Sequence, residues 1–325
     1  MPVTLKDVAR DANVAVSTVS YVLSNTGRHK FSEETCRRIL QSAEKLHYRP
    51  NLKARGLSKG RTYIIGALSY DLTTSFIPEI LQGIEDVLES RGYCMIISTY
   101  TPETFTEKCN YLYQHAVEGV VLLPSWKFNS GDTGELALNN IPIVSVADSF
   151  VNCRKVLVEP HATGQIALEH LERLGHRTVA YSGAIPSRLQ GFLDTAVKYP
   201  HINFLYRQGS PELMRDGAQI LEWLRSLPEF PTAVVTDDDT SAISLIHSAV
   251  TAGLRVPQDL SIIGMDGVAA GKYSLPPLTS IGQPTFEQGS KAAEILIDQI
   301  EGRSVSDCIL QPFLIERESC CHIEH

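Results

Sequence analysis

The stretch TLKDVARDANVAVSTVSYVLS, residues 4–24, predicts two short helices that are separated by a tight break. Thr4 and Asp7 have the spacing of a capping box at a helix start, with aspartate in place of the usual glutamate. Apolar residues then recur on one helical face, at Leu5, Val8, Ala9 and Ala12. Asn13-Val14-Ala15 interrupts this pattern, and a second helix starts at Val16. Two helices around a break of about three residues are typical of a helix-turn-helix unit.

A third helix and a linker follow this unit. Ser32 can cap the third helix, and acidic residues occupy its first turn, where negative charge is favourable. The helix ends before Pro50, because a residue that precedes proline disfavours the helical conformation. Residues 51–61 are basic and contain only two leucines, so they are too polar to form a core. We therefore predict an all-α helix-turn-helix head over residues 1–50 and a hinge or linker over residues 51–61.

Charge is distributed unevenly along the chain. The whole sequence carries −8, from 29 lysines and arginines and 37 acidic residues. Residues 1–61 hold twelve of the basic residues and five of the acidic ones, which makes them +7 and leaves −15 for the rest. A basic head on an acidic body indicates a polyanionic partner for the head, although a solvated charged surface would give the same count.

From residue 62 onward, short apolar runs alternate with amphipathic helical stretches. The runs are YIIGAL (63–68), CMIIST (94–99), GVVLLP (119–124), IPIVSV (141–146), TVAYSG (178–183), TAVVTD (232–237) and LSIIGM (260–265). Buried strands that alternate with helices predict parallel sheets in an α/β fold. The length suits two doubly wound lobes, whose ligands bind beyond the carboxyl ends of the strands. A cleft between the lobes is the expected small-molecule site.

Composition excludes several classes of protein. With 43% hydrophobic and 20% charged residues, the chain has the composition of a globular protein, not of a disordered or coiled-coil one. No apolar run reaches the roughly 18 residues of a membrane span, and the N-terminus lacks the apolar core of a secretory signal. Seven scattered cysteines do not form the pattern of a disulfide framework. These features predict a reduced, cytoplasmic protein.

Several strings in this chain resemble, in the same order, those of the lactose-repressor (LacI/GalR) family of bacterial transcription regulators. In the head they are TLKDVARDANVAVSTVSYVLS, FSEETCRRILQSAEKLHYRPN and LKARGLSKGRTYIIG. In the body they are HLERLGHRTVAYSG, RLQGF, GLRVPQDLSIIGMD, LPPLTSIGQP and LIERES. The resemblance covers nearly the whole chain. It implies a body like the periplasmic sugar-binding proteins, a hinge helix that forms on DNA, and a homodimer on a pseudo-palindromic operator.

The resemblance divides the body, residues 62–325, into two lobes that are made of discontinuous segments. The expected N-lobe holds about 62–160 and 284–306, and the expected C-lobe holds about 161–283 and 307–320. No heptad repeat follows Glu318, which favours a dimer over a tetramer.

By resemblance, the start of the second helix reads base edges in the major groove. The residues at these positions are Val16, Ser17 and Tyr21. Valine can pack on a thymine methyl group, serine is an undiscriminating donor and acceptor, and tyrosine can stack or donate. Because none of the three is arginine or glutamine, we expect specificity to rest on methyl contacts and on DNA shape. The alternative for Val16 is packing inside the head.

The resemblance places further hydroxyl and amide side chains against DNA phosphates, which position a protein without reading sequence. These residues are Thr4, Thr18, Ser20, Thr35, Tyr48 and Asn51. Thr4 and Thr35 could equally be plain helix caps or first-turn residues. In the hinge, Leu57 matches the leucine that wedges between base pairs in the central minor groove, which Lys53 and Ala54 should also line. The alternative for Leu57 is packing on the body.

The resemblance also identifies candidate ligand contacts in the cleft. Arg188 matches an arginine whose guanidinium fork suits vicinal sugar hydroxyls or a phosphate. Asp239 matches an aspartate that accepts from ligand hydroxyls, and Phe76 matches an aromatic ring that stacks on the ligand. The aspartate expected after the fourth strand falls one residue late, at Asp148. The alternatives are a structural ion pair for Arg188 and Asp239, and a place in the lobe core for Phe76.

Other constellations are weaker. The carboxylates at 237–239 raise the alternative of a metal site, but adjacent residues at a strand end point apart. Cys320, Cys321 and His322 offer metal-ligand chemistry near the terminus, where a frayed tail is the simpler interpretation. No nucleophile, metal or nucleotide motif indicates an enzyme, and no cofactor is expected. We predict a DNA-binding repressor controlled by a small sugar-like ligand; the alternative is a solute-binding protein of the periplasmic type.

Overall fold

The computed structural model describes residues 3–23, 30–48, 61–124, 140–146, 152–210 and 214–323. These residues form two compact units that divide between Thr62 and Tyr63. The smaller unit is helical and the larger one is α/β, which agrees with the predicted fold class. The predicted site residues that lie outside the described ranges are Asn51, Lys53, Ala54, Leu57 and Asp148. Within the described ranges, no helix combines the length and the apolarity that crossing a membrane requires.

The described part of the head consists of the helices α1 (Leu5–Asp11), α2 (Val16–Leu23) and α3 (Glu33–Lys45). The predicted pair starts α1, because the Asp7 carboxylate accepts from the Thr4 amide at 2.9 Å and from the Thr4 hydroxyl at 2.7 Å. The apolar faces of the three helices meet in one small core. Its fully buried members are Val8, Val19, Val22 and Ile39.

The described residues of the larger unit form two six-stranded sheets with helices around them. Its strands are β1 (Ile64–Ser69), β2 (Cys94–Thr99), β3 (Gly119–Leu122), β4 (Ile143–Ser145), β5 (Arg154–Val158), β6 (Thr178–Gly183), β7 (Asn203–Gln208), β8 (Ala233–Thr236), β9 (Ser261–Asp266), β10 (Thr279–Gly282), β11 (Cys308–Leu310) and β12 (Phe313–Ile315). Its α-helices are α4 (Ile77–Arg91), α5 (Phe105–Gln114), α6 (Pro160–Arg173), α7 (Pro186–Ala196), α8 (Gly217–Ser226), α9 (Asp239–Thr251) and α10 (Thr285–Ile300).

Each sheet belongs to one lobe. The N-lobe sheet has the strand order β11-β5-β4-β3-β1-β2, and its pairs are parallel. The C-lobe sheet has the order β12-β10-β9-β8-β6-β7, and it is parallel except for β12, which runs antiparallel to β10. The central strands β3, β8 and β9 are buried along their whole lengths, as expected for parallel strands that are covered on both faces.

The last crossing between the lobes differs from the prediction. We expected residues 307–320 to belong to the C-lobe, but β11 pairs with β5 of the N-lobe, with Cys308 opposite Val156. The chain enters the C-lobe sheet only at Phe313, which opposes Gly282. Pro312 separates the two strands, because proline has no amide hydrogen to donate to a sheet.

Both lobes contain helices that approach each other closely at glycine. In the N-lobe, a β-carbon at Gly83 of α4 would overlap the carbonyl oxygen of Phe286 in α10. In the C-lobe, a β-carbon at Gly164 of α6 would lie 2.5 Å from the amide nitrogen of Phe192 in α7. These glycines allow helix backbones to touch and fix the helices that flank each sheet.

Candidate functional sites

One face of α2 is exposed and carries the residues that we predicted to contact bases. Val16 is 40% exposed and Tyr21 is 49% exposed, and Ser17 is exposed beside them. Val19 and Val22, on the opposite face, are fully buried. Val16 therefore does not pack inside the head, which removes the alternative for this residue. All three candidate base contacts are accessible to a partner.

Lys30 adds a positive charge to this face, and the sequence analysis did not assign it a role. Its Nζ atom lies 5.8 Å from the centre of the Tyr21 ring, within the range of cation–π attraction. Lys30 is exposed and comes shortly before α3. A cation beside the recognition residues favours contact with a phosphate backbone. No sequence motif links Lys30 with Tyr21; the two side chains meet only in the folded head.

Two predicted phosphate contacts lie at helix starts in the structure, Thr4 as the N-cap residue of α1 and Thr35 in the first turn of α3, which Ser32 caps. Thr4 donates its hydroxyl hydrogen to Asp7, and Thr35 shares a 2.9 Å hydrogen bond with the Ser32 hydroxyl. Ser32 Oγ also accepts from the Thr35 amide at 3.3 Å. A DNA phosphate that binds Thr4 or Thr35 would therefore compete with hydrogen bonds that these hydroxyl groups already make. The other described candidates are exposed or half-buried on the head, namely Thr18, Ser20 and Tyr48.

A cluster of charged side chains lies at the carboxyl ends of β8 and β9, the edge of a parallel sheet at which ligands bind. Arg188 of α7 lies between Asp237 and Asp266, with its Nη1 3.9 Å from Asp237 Oδ1 and its Nη2 3.6 Å from Asp266 Oδ1. It also donates to the backbone carbonyl oxygen of Asp237. The side chains are only 13%, 9% and 4% exposed, respectively. We name these three residues the C-lobe cluster.

Donors from the end of β6 and the turn after it hold Asp237. Its carboxylate accepts from the amides of Ala184 at 2.5 Å and Ile185 at 2.9 Å, and from the Tyr181 hydroxyl. Burial raises the pKa of the Asp237 carboxyl, and Arg188 and these donors oppose that rise. Burial and the charge of Asp237 raise the pKa of Tyr181, so this phenol keeps its hydrogen and donates it.

Asp266 ends β9 with a φ of 104°, a conformation that residues other than glycine rarely adopt and that often marks functional sites. Its Oδ1 accepts from Gln283 Nε2 at 2.6 Å. Burial, reinforced by the neighbouring carboxylates, raises its pKa to about 8, although Arg188 acts in the opposite direction. The carboxyl group therefore keeps its proton at neutral pH and can donate as well as accept.

Asp237 and Asp266 belong to this cluster but were not among the predicted ligand contacts, although the sequence carries a signal for both. Each comes at the carboxyl end of a buried apolar run, AVVTD for the first and SIIGMD for the second. In a parallel sheet, polar residues at such ends share one edge. Position after a strand was therefore a better guide to this site than spacing from a distant glycine, which led us to Asp239.

The structure corrects the prediction for Asp239. This residue is fully buried, and its oxygens accept from the Ser280 hydroxyl at 2.6 Å and from the Val268 amide at 2.7 Å. A β-carbon at Gly264 would overlap its carboxylate, so the group is enclosed by β9 and β10. Burial raises its pKa to about 6. Asp239 therefore supports the edge of the sheet from within and does not face the cleft with Arg188.

Phe76 is half-buried and packs against the hydrophobic core of the N-lobe, which favours the alternative that we left open for it. It lies directly before α4, at the helix N-cap. One turn later, Glu79 accepts a hydrogen bond from the Thr285 hydroxyl at the start of α10. The partly exposed ring could still contact a ligand, but its main contacts in the structure are with the lobe core.

The three neighbouring aspartates of the metal alternative have separate partners. Asp237 faces the turn after β6, and Asp239 faces β10. Asp238 caps α9 by accepting from the Ser241 amide at 2.7 Å, and it pairs with Arg215 at 3.2 Å. The described residues contain no group of three potential ligands placed to hold a metal ion.

Known sequences and structures match both units of the chain. The profile of bacterial regulatory proteins of the lacI family matches residues 4–51, and the profile of a periplasmic binding protein-like domain matches residues 168–320. The chain is 30% identical to catabolite control protein A of Priestia megaterium over 97% of its length and 98% of that protein. It is 32% identical to the transcriptional repressor PurR of Klebsiella pneumoniae, over 97% and 96% of the two chains. The chain belongs to the LacI family.

Solved structures of LacI-family proteins share its architecture. The lac repressor dimer bound to operator and the anti-inducer ONPF matches with a TM-score of 0.79 and 22% identity, over 99% of this chain and 100% of that one. A LacI-family regulator of Enterococcus faecium with bound ribose matches with a TM-score of 0.71 and 26% identity, over 80% and 100%. The predicted family and fold class are confirmed, and the chain is a DNA-binding transcriptional regulator with an effector-binding body.

Proposed function

We propose that this LacI-family regulator is a repressor of bacterial transcription whose C-lobe cluster receives a small polyhydroxy ligand. The main support is a buried arginine that lies between two carboxyl groups at the carboxyl ends of parallel strands. Together these groups donate and accept, which is the chemistry that neighbouring sugar hydroxyls require. The ribose bound to the Enterococcus faecium neighbour supports a pentose or a related polyol.

On DNA, the exposed face of α2 would lie in the major groove. Val16, Ser17 and Tyr21 would contact base edges, and the accessible surface of this helix supports that role. The family resemblance extends the proposal to a homodimer on a pseudo-palindrome, with Leu57 between base pairs at its centre. Such a regulator acts in the cytoplasm, where it meets the chromosome.

Ligand control then follows from two conformations of the body. A ligand shifts the DNA-binding population only as far as its affinity differs between those conformations. Induction and corepression obey the same rule. The body would transmit binding without catalysis, so incubation with ribose and related sugars should leave the sugars unchanged.

Selection of bound duplexes from a random pool tests the DNA-binding part. We expect the purified full-length protein to enrich a palindrome with a deformable central step, and binding to weaken steeply as salt rises, because phosphate contacts release counterions. Tyr21→Ala should reduce the preference for the selected palindrome. Tyr113→Ala removes an equally exposed tyrosine from the body and serves as the matched control. Loss of all DNA binding would favour the solute-binding alternative.

The hinge is tested separately on the selected palindrome. Leu57→Ala should lower operator affinity while the dimer persists in sedimentation, because the wedge acts only on DNA. Leu72→Ala, which shortens an exposed leucine of the body, is the control. Unchanged affinity of the Leu57 variant would reject the wedge role but leave the rest of the proposal in place.

A further inference from the structure

Three hydrogen-bond donors and one cation, at the end of β6 and the start of α7, surround one point of the C-lobe edge. The donors are the Tyr181 hydroxyl and the successive amides of Ala184 and Ile185, and the cation is the Arg188 guanidinium. Successive backbone amides ahead of a helix, joined by a hydroxyl and a cation, are a receptor for an anion. Donors of this kind recognise the carboxylate or phosphate of a ligand.

The protein fills this receptor with its own carboxylate. Asp237 reaches it from the end of β8, and its side chain is only 9% exposed. Gly183 makes the approach possible, because a β-carbon there would lie 2.6 Å from Asp237 Cγ. The carboxylate therefore occupies, at short range, the position that the charged group of an anionic ligand would need.

The surrounding charges make a second anion still less favourable. Asp266 lies on the other side of Arg188, where burial raises the pKa of its carboxyl group, and it brings no second cation to the site. The Arg188 guanidinium is already paired with the Asp237 carboxylate, and a second anion would find no unpaired cation in the C-lobe cluster. Adding an anionic ligand to a buried site of this composition would be strongly unfavourable.

We propose that Asp237 is a built-in anion that determines ligand specificity, so that the cleft accepts uncharged polyhydroxy ligands and rejects phosphorylated or carboxylated ones. This inference rests on the proposed function of the same site. It assigns to Asp237 a role that lies outside our sequence prediction. Arg188, held by Asp237 and Asp266, then offers its remaining donor positions to hydroxyl groups only.

Chemical rescue of Asp237→Ala with acetate tests the inference. The variant leaves the three donors without their acceptor and Arg188 without one of its carboxylate partners, and acetate supplies the missing carboxylate. The ionic strength is held constant, with chloride as the reference anion. We expect acetate to raise the melting temperature of the variant until its site is saturated. The melting temperature of wild type should depend on acetate at least about ten-fold more weakly. Inorganic phosphate, a larger probe, should show the same preference for the variant.

Asp216→Ala is the matched control. Asp216 also accepts two helix amides in the C-lobe, from Ala218 at 2.9 Å and Gln219 at 3.4 Å, but it is exposed and lies outside the cluster. Acetate should not rescue this variant. Equal rescue of both variants, or no rescue of Asp237→Ala, would overturn the inference.

A second measurement applies even where Asp237→Ala does not fold. Calorimetric titration of wild type compares ribose with ribose 5-phosphate, and Asp237→Asn keeps the shape of the side chain without its charge. We expect wild type to prefer the uncharged sugar, and the preference to fall about ten-fold in Asp237→Asn. Tighter binding of the phosphate ester by wild type would overturn the inference and leave the repressor proposal standing. If wild type binds neither sugar, the polyol proposal fails, and acetate rescue still decides the role of Asp237.

Discussion

The two lobes share one strand order but differ in the residues at the carboxyl ends of their strands. In the N-lobe, β1, β3 and β4 end in Ser69, Leu122 and Ser145, which are uncharged and buried. In the C-lobe, the equivalent strands β6, β8 and β9 end at Gly183, Thr236 and Asp266, and Asp237 follows the second. The strand ends that the structure describes are therefore uncharged in the N-lobe, whereas one C-lobe strand ends in an aspartate and another is followed by one. We infer that the C-lobe orients a ligand and the N-lobe covers it.

Among the substitutions, the largest loss of stability is expected when the charged edge of the C-lobe loses its cation. Arg188→Met should destabilise the body by about 3–5 kcal/mol, because it leaves buried carboxyl groups without their cation. Urea unfolding at pH 7, followed by circular dichroism, gives the free energy of unfolding. Arg303→Met in the N-lobe removes an arginine that pairs with Asp298 at 2.8 Å but is 48% exposed. We expect Arg303→Met to lower the free energy of unfolding by at most about 1 kcal/mol. Similar losses for both variants would contradict the difference between the two lobes.

A smaller loss of stability is expected when the close helix contacts, which both lobes contain, are disrupted. Gly289→Ala in α10 would overlap the carbonyl oxygen of Ile80, and Gly191→Ala in α7 would place a β-carbon 2.7 Å from the carbonyl oxygen of His161. Each substitution should destabilise the body by about 1–3 kcal/mol, since helix backbones must separate. Thermal unfolding checks both, with the exposed Ser187→Ala as the control. A neutral result in one lobe would show that its helix pair tolerates separation.

Sequence patterns predicted the architecture better than the ligand site. The apolar runs became strands because buried parallel strands need continuous hydrophobic residues, and the capping pair Thr4–Asp7 began a helix as predicted. Five described strands were not among the predicted runs, because their apolar stretches are short and three of them lie at sheet edges; they are β5, β7, β10, β11 and β12. The burial of Asp239 could not be predicted from the sequence, since it depends on how β9 and β10 enclose the carboxylate.

The pH dependence of stability gives the sharpest comparison of single carboxyl groups. Asp266 has an ordinary pKa of 3.8 and a pKa of about 8 in the folded protein, because burial and the facing Asp237, Asp238 and Asp239 outweigh Arg188. The folded state therefore keeps a proton that the unfolded state releases. Stability should fall as pH rises between about 4 and 8, and then level off.

Asp266→Asn cannot release this proton, so its melting temperature should fall less than that of wild type between pH 6 and pH 8.5. The two proteins should be similar near pH 4, where Asp266 is protonated in both states, and the variant should be more stable at pH 8.5, by about 2–4 °C for each kcal/mol. Asp259→Asn is the control, because the pKa of the partly exposed Asp259 is lowered to about 2 by Arg255, and its contribution is lost only in acid. Parallel profiles for wild type and Asp266→Asn would mean that Asp266 is already ionised beside Arg188. The C-lobe edge would then hold a full ion pair, and its contrast with the uncharged strand ends of the N-lobe would be stronger than we infer.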